Sequence, residues 1–175
     1  MPTWIALLRG VNVGKGRKLP MADLRAALEG TSCTNVTTYI QSGNVVLDHP
    51  KIGRAALQSM LERTIEKCAG FEVPVVLRSG TELGTLIADN PYPRVDAPRL
   101  HVAFLAAAPR KSVVDAIDRD AFAPETFVVA GPNVYLHLPN GMGKSKLGQR
   151  LSVFGTSATV RNWNTVLQLR DLSRR

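Results

Sequence analysis

The chain has 175 residues, is 45% hydrophobic and 21% charged, and carries a formal net charge of +8. That composition supplies a packed core and excludes a disordered chain, no apolar run approaches the roughly 20 residues that span a bilayer, and WIALL, ended by Arg9, is too short for a signal peptide. Two cysteines, Cys33 and Cys68, are too few for a disulfide framework, so the expected setting is a reducing cytoplasm without membrane association.

TWIALL is too short for a helix and reads as a buried strand. The loop RGVNVGKGRKLP follows, with three glycines and four cations in residues 9–20. MADLRAALEG places Met21, Leu24 and Leu28 at helical spacing, with Pro20 in the first turn and Gly30 closing the helix. NVTTYI is β-branched and aromatic, hence a strand; QSGN is turn chemistry and VVL the returning strand. IGRAALQSMLERTIEKCAG is a long amphipathic helix ending at Gly70, with Ile52, Ala56, Met60 and Ile65 beside Leu57 and Leu61. Cys68 falls on its apolar face, where a buried free thiol is expected. FEVPVVLRS is a strand, and Pro74 argues for an edge position.

The order βαββαβ is the ferredoxin-like pattern. After a short helix (TELGTLIADN), the Pro-rich NPYPRVDAPR reads as a connector. LHVAFLA is then a strand, KSVVDAIDRD a helix, and TFVVA and VYLHL strands joined by GPN. One or two helices close the chain, through KLGQRL and TVRNWNTVLQLRDL. The expected class is α+β, with two ferredoxin-like halves. The first covers residues 1–79. The second, residues 80–175, is an incomplete βαββα copy with a connector at 80–99 and basic C-terminal helices.

The charge is uneven. Residues 140–175 hold seven cations and one acid, which points either to an anionic partner or to a solubility tail, the reading that suits Arg174 and Arg175. Right-handed crossovers make the first two strands parallel. The loop after the first strand and the Gln41–Asn44 turn therefore share one sheet edge, where Arg9, Asn12, Lys15, Lys18, Gln41, Ser42 and Asn44 form a polar rim. Glycines 10, 14 and 16 let a backbone approach a ligand closely, and Arg9 can grip an oxyanion bidentately. Glycines after a strand also serve merely to turn the chain, and loop lysines are commonly just solvated. The loop lacks the third glycine of a dinucleotide fingerprint, where Leu19 stands.

Two further stretches invite an anion. PNGMGKSKLGQR sets Lys144 before a helix N-terminus, although Leu138 stands where a P-loop needs glycine. In ATVRNWNTVLQL, read as a helix capped by Thr159, Val160, Trp163 and Leu167 face inward. Arg161, Asn164, Thr165 and Gln168 face outward, and a guanidinium beside amides can read phosphates or base edges. The three stretches hold no Asp, Glu or His, which weakens acid–base catalysis without weakening anion binding. No metal-ligand spacing is present, and His49, His101 and His137 are scattered.

The stretches ALLRGVNVGKGRKLPMADLRAALE, TYIQSGNVV, NPYP and TVRNWNTV resemble the bacterial family called domain of unknown function 1697, in order and over Leu7 to Leu169. Lys15 stands where that family often has a second glycine. The resemblance implies two ferredoxin-like subdomains. Its motif positions are Arg9, Gly10, Asn12, Gly14, Gln41, Ser42, Gly43, Asn44, Arg161, Asn162, Trp163, Asn164 and Thr165. It implies no activity, cofactor or substrate. The leading functional expectation is a binding protein for a phosphate-bearing anion, nucleotide or nucleic acid, at the 9–18 loop and 41–44 turn. The expected ligand-binding residues are Arg9, Asn12, Gly14, Lys15, Lys18, Gln41, Ser42, Asn44, Lys144, Arg161, Asn162 and Asn164. The alternatives are a transferase-like enzyme acting on an anionic metabolite between the halves, and an assembly role in which the basic C-terminal region meets an acidic partner protein.

Overall fold

A computed structural model describes residues 1–174. The chain divides into two compact units: Met1–Thr85 together with the C-terminal residues from Leu169 on, and Leu86–Gln168.

The first unit is built from β1 (Thr3–Leu8), α1 (Met21–Glu29), β2 (Thr34–Tyr39), β3 (Asn44–Asp48), α2 (Arg54–Ala69) and β4 (Val75–Ser79). Its antiparallel sheet has the order β2-β3-β1-β4, the ferredoxin-like arrangement. β4 is an edge, and Pro74 stands just before it. Leu24 and Leu28 of α1 and Leu57, Leu61 and Ile65 of α2 pack over Ala6, Leu8, Val45, Leu47 and Leu77. Each such leucine contributes about 1.5–3 kcal/mol of burial free energy. Ile5 and Leu7 on the opposite face of β1 are buried as well, so TWIALL reads as a continuous apolar run. Gly70 closes α2 at φ +81, in the left-handed region. The apolar stripe of α2 runs to Ala69 and leaves Cys68 on the flank: Cys68 is exposed, and the buried thiol is Cys33.

α3 (Gly80–Ala88) carries the chain into the second unit, which contains β5 (Leu100–Leu105), α4 (Lys111–Asp115), β6 (Thr126–Ala130), β7 (Asn133–His137), α5 (Lys146–Gln149) and β8 (Ala158–Asn162). The order β6-β7-β5-β8 repeats the first sheet. The second copy therefore has its fourth strand, against the expectation of an incomplete half. Ala158–Asn162 lies along β5 with Phe104 opposite Thr159 and Val102 opposite Arg161. The β-branched Thr159 and Val160 suit that strand, and only Trp163–Leu172 is helical, as α6. The second core joins Ala103, Leu105, Val134 and Leu136 to Phe122, Phe127, Leu147 and Phe154. The rings of Phe127 and Phe154 meet edge-on at 5.3 Å.

Candidate functional site

β1 and β2 are each antiparallel to β3, hence parallel to one another. Their C-terminal ends meet at one sheet edge, and there the loop after β1 is tied to the turn before β3. Leu8 N–H donates to Gly43 O at 2.8 Å and Arg9 N–H to Pro74 O at 3.0 Å, continuing the ladders on both sides of β1. Asn12 is the central tie. Its Nδ2 donates to Leu19 O (2.9 Å) and Gln41 O (2.7 Å), and its Oδ1 accepts from Leu19 N–H (2.8 Å). Its backbone lies at φ +54, a region asparagine enters more readily than most side chains.

Arg17 closes the loop from the other side. Its carbonyl accepts from Asn12 N–H at 2.9 Å. Its guanidinium donates to Gly10 O and Glu72 O, both at 2.7 Å, and lies 4.5 Å over the Phe71 ring. In the turn, Gly43 has φ +82, and a Cβ there would stand 2.7 Å from both Leu8 Cβ and Val11 Cγ2. Asn44 is fully buried and donates to Tyr39 O (3.0 Å) and Ser42 Oγ (2.8 Å).

These bonds divide the residues of the rim. Asn12, Ser42 and Asn44, expected among the ligand-binding residues, are engaged within the corner itself: Asn12 and Asn44 bond its backbone, and Ser42 Oγ accepts from the Asn44 side chain. Arg9, Gly14, Lys15, Lys18 and Gln41 remain exposed. Among the described residues no carboxylate forms an ion pair with Arg9, Lys15 or Lys18. Gly14 sits at φ +61 with nothing within 4 Å of an added Cβ. Lys15 is not among the residues with positive φ, so its side chain carries no left-handed backbone strain. α1 begins without a side-chain cap, but Asp23 occupies its first turn and offsets the positive end of the helix dipole. The positive charge at this edge therefore comes from the cations.

The second unit corrects the other candidates. The N-terminus of α5, expected to be free for an anion, already holds one from the chain. Glu125 accepts from Ser145 Oγ–H (3.1 Å), Lys146 N–H (3.0 Å) and Leu147 N–H (2.9 Å). Ser145 caps the same turn by accepting from Gly148 N–H at 2.8 Å. Lys144 stays exposed beside this closed turn. Arg161 does not lie on a solvated helix face. It belongs to β8, is buried, and donates to Thr159 Oγ1 (2.7 Å) and Val160 O (2.9 Å). Burial pulls its guanidinium down to about 10. The helix cap is Asn162, not Thr159: its Oδ1 accepts from Thr165 N–H at 2.9 Å. Asn164 is exposed on the first turn of α6, and Trp163 is buried 6.5 Å from the Tyr135 ring. The RNWNT segment is a strand-to-helix junction.

Sequence reading missed three residues. Arg17 was one cation among four. Glu125 lies 20 residues from the serine it meets. Arg78 is buried in β4 opposite Ile5 and, like Arg161, is drawn down to about 10 chiefly by burial. Arg78 and Arg161 each stand fourth in the fourth strand of a unit, directly before a helix. VVLRS and ATVRN carry that repeat openly. The C-terminal charge excess is likewise no single surface: Arg161 is buried, and Arg170 is half-buried with its guanidinium against Gly84. Among the described residues no group of His, Cys, Asp and Glu could hold a metal ion, and no helix is long and apolar enough to cross a membrane.

Fold and corner together define an α+β protein of two ferredoxin-like units, the first carrying a braced cationic loop at one sheet edge. The chain belongs to the family described as protein of unknown function DUF1697, whose model matches residues 1–135. Its structure is similar to that of the conserved bacterial protein SP0830 from Streptococcus pneumoniae, with a TM-score of 0.80, 21% identity, and coverage of 100% of this chain and 99% of that one. At that identity the likeness speaks for the fold alone. No curated protein matches the sequence.

Proposed function

We propose that the first unit binds phosphate-bearing polyanions, nucleic acid foremost, along the rim of Arg9, Lys15 and Lys18. One observation carries this reading: these three exposed cations have no carboxylate partner among the described residues, on a loop braced by Asn12 and Arg17. The bracing matters because an ordered loop spends less free energy on binding than a floppy one. Exposure of the whole Val13–Lys18 tip suits a ligand that lies along the surface, as an extended phosphate backbone does. With the amides of Asn12 and Asn44 committed to the corner's own bonds, contact falls chiefly to the cations, so affinity is expected to be sequence-tolerant and steeply dependent on salt.

The test is fluorescence anisotropy with labelled single-stranded and duplex oligonucleotides over a range of KCl concentrations. Removing one phosphate-pairing cation should flatten the log–log salt slope on duplex by about 0.9. The double variant Arg9→Ala, Lys18→Ala should flatten it by about 1.8 and weaken binding for every sequence. Affinity for oligonucleotides and nucleotides unchanged in that variant would refute the reading.

A further inference from the structure

The two units share a topology but differ in the helix layer. In the first, α1 of nine residues and α2 of sixteen pack on one another. At 1.5 Å per residue α2 reaches about 24 Å, enough to roof its sheet. In the second, the corresponding crossovers carry α4 of five residues and α5 of four, followed by a 3-10 turn at Leu151–Phe154. α4 spans only about 7.5 Å. It packs on the Leu151–Phe154 turn, but the roof is short. A groove of about 560 Å³ remains between α4, the Arg119–Phe122 turn and the Leu151–Phe154 turn.

The walls of this groove are apolar: Val113, Ile117, Phe122 and Val153. Two charged residues stand on it, and they are not equivalent. Asp118 is committed to its own turn, where its Oδ1 accepts from Asp120 N–H at 3.2 Å. Arg150 is exposed, lies 5.3 Å over the Phe122 ring, and is in no ion pair among the described residues. The groove therefore carries one carboxylate already engaged by its own turn and one guanidinium without an ion-pair partner, poised over an aromatic wall. The volume falls within the roughly 300–1,000 Å³ typical of small-molecule sites.

We propose that this groove binds a small aliphatic carboxylate, whose head group pairs with Arg150 and whose hydrocarbon body lies along Val113, Ile117, Phe122 and Val153. The site is independent of the loop in the first unit. A guanidinium takes a carboxylate through two parallel N–H donors, and the apolar walls reward each buried methylene.

The experiment titrates the full chain, isotope-labelled at methyl groups, with octanoate, decanoate and dodecanoate below their micellar concentrations. Saturable shifts are expected at Val113, Ile117 and Val153, with affinity rising about two- to fourfold per added methylene. Arg150→Gln should weaken decanoate about tenfold and leave 1-decanol unchanged; Arg150→Lys, which keeps the charge but not the paired donors, should restore part of the decanoate affinity. Ala116→Trp, which fills the groove from an exposed position, should abolish binding of both. Should Arg150→Gln disturb the packing of Phe122, the Arg150→Lys and Ala116→Trp variants still decide the matter. The proposal is overturned by absence of saturable shifts at millimolar decanoate, by equal decanoate affinity in wild type and Arg150→Gln, by shifts confined to other regions, or by a groove that takes amphipathic peptides but not fatty acids.

Discussion

Gly43→Ala separates two costs that usually arrive together. Gly43 sits at φ +82, and an alanine Cβ would stand 2.7 Å from Leu8 Cβ and Val11 Cγ2. Left-handed backbone costs an L-residue about 1–2 kcal/mol. Forcing a methyl into a packed site adds about 1–3 kcal/mol, because Leu8 and Val11 are both buried and cannot swing aside. The expected loss is therefore about 2–5 kcal/mol. Gly14→Ala is the internal control. It has φ +61 but nothing within 4 Å of the new methyl, so it incurs only the backbone cost of about 1–2 kcal/mol. Urea unfolding followed by circular dichroism, with unchanged slope, gives both numbers. Amide exchange at Leu8, whose N–H donates to Gly43 O, reports the corner directly and should accelerate only in Gly43→Ala. A Gly43→Ala protein as stable as Gly14→Ala would show that β1 and the turn are not packed as described.

Three further outcomes test other parts of the molecule. Glu125→Ala should cost about 3 kcal/mol, because three donors, two of them in buried bonds, lose their acceptor; Glu125→Gln, which keeps one accepting oxygen, should melt between it and wild type. Iodoacetamide should label one thiol of the native protein, Cys68, and reach Cys33 only on unfolding; labelling of native Cys68→Ser would contradict this. Reaction at Cys68 should be slow, since desolvation, slight at this exposed position, and then Asp23 push its thiol up. His101 is buried, its Nδ1 has no hydrogen-bond partner among the described residues, and burial lowers its pKa from 6.5. Below pH 6.5 the unfolded chain takes up a proton that the folded chain refuses, so stability falls as pH drops from there to the folded pKa. His101→Leu should flatten that part of the stability profile.

Much of the fold was legible because its signals are local. TWIALL, NVTTYI and VVL are strands by composition, the Leu57–Leu61–Ile65 stripe is a helix by spacing, and βαββαβ order with Pro74 at an edge leads to one arrangement. The shared edge of the loop and turn followed from strand direction alone. The exceptions are instructive. ATVRNWNTVLQL places Val160, Trp163 and Leu167 at helical spacing, yet β5 takes Ala158–Asn162 as its second neighbour in the sheet. That pairing turns Arg161 inward.

Polar groups were the least legible. Asn12, Ser42 and Asn44 have the chemistry of ligand contacts, and nothing local distinguishes a side chain that binds a guest from one that binds its own loop. Glu125 occupies the α5 turn from 20 residues away, and the short roof over the second sheet opens a groove whose Arg150 and Phe122 are far apart in the chain. Backbone elements follow from patterns a few residues long. The destination of a hydrogen bond depends on which segments the folded chain brings within about 3 Å of each other.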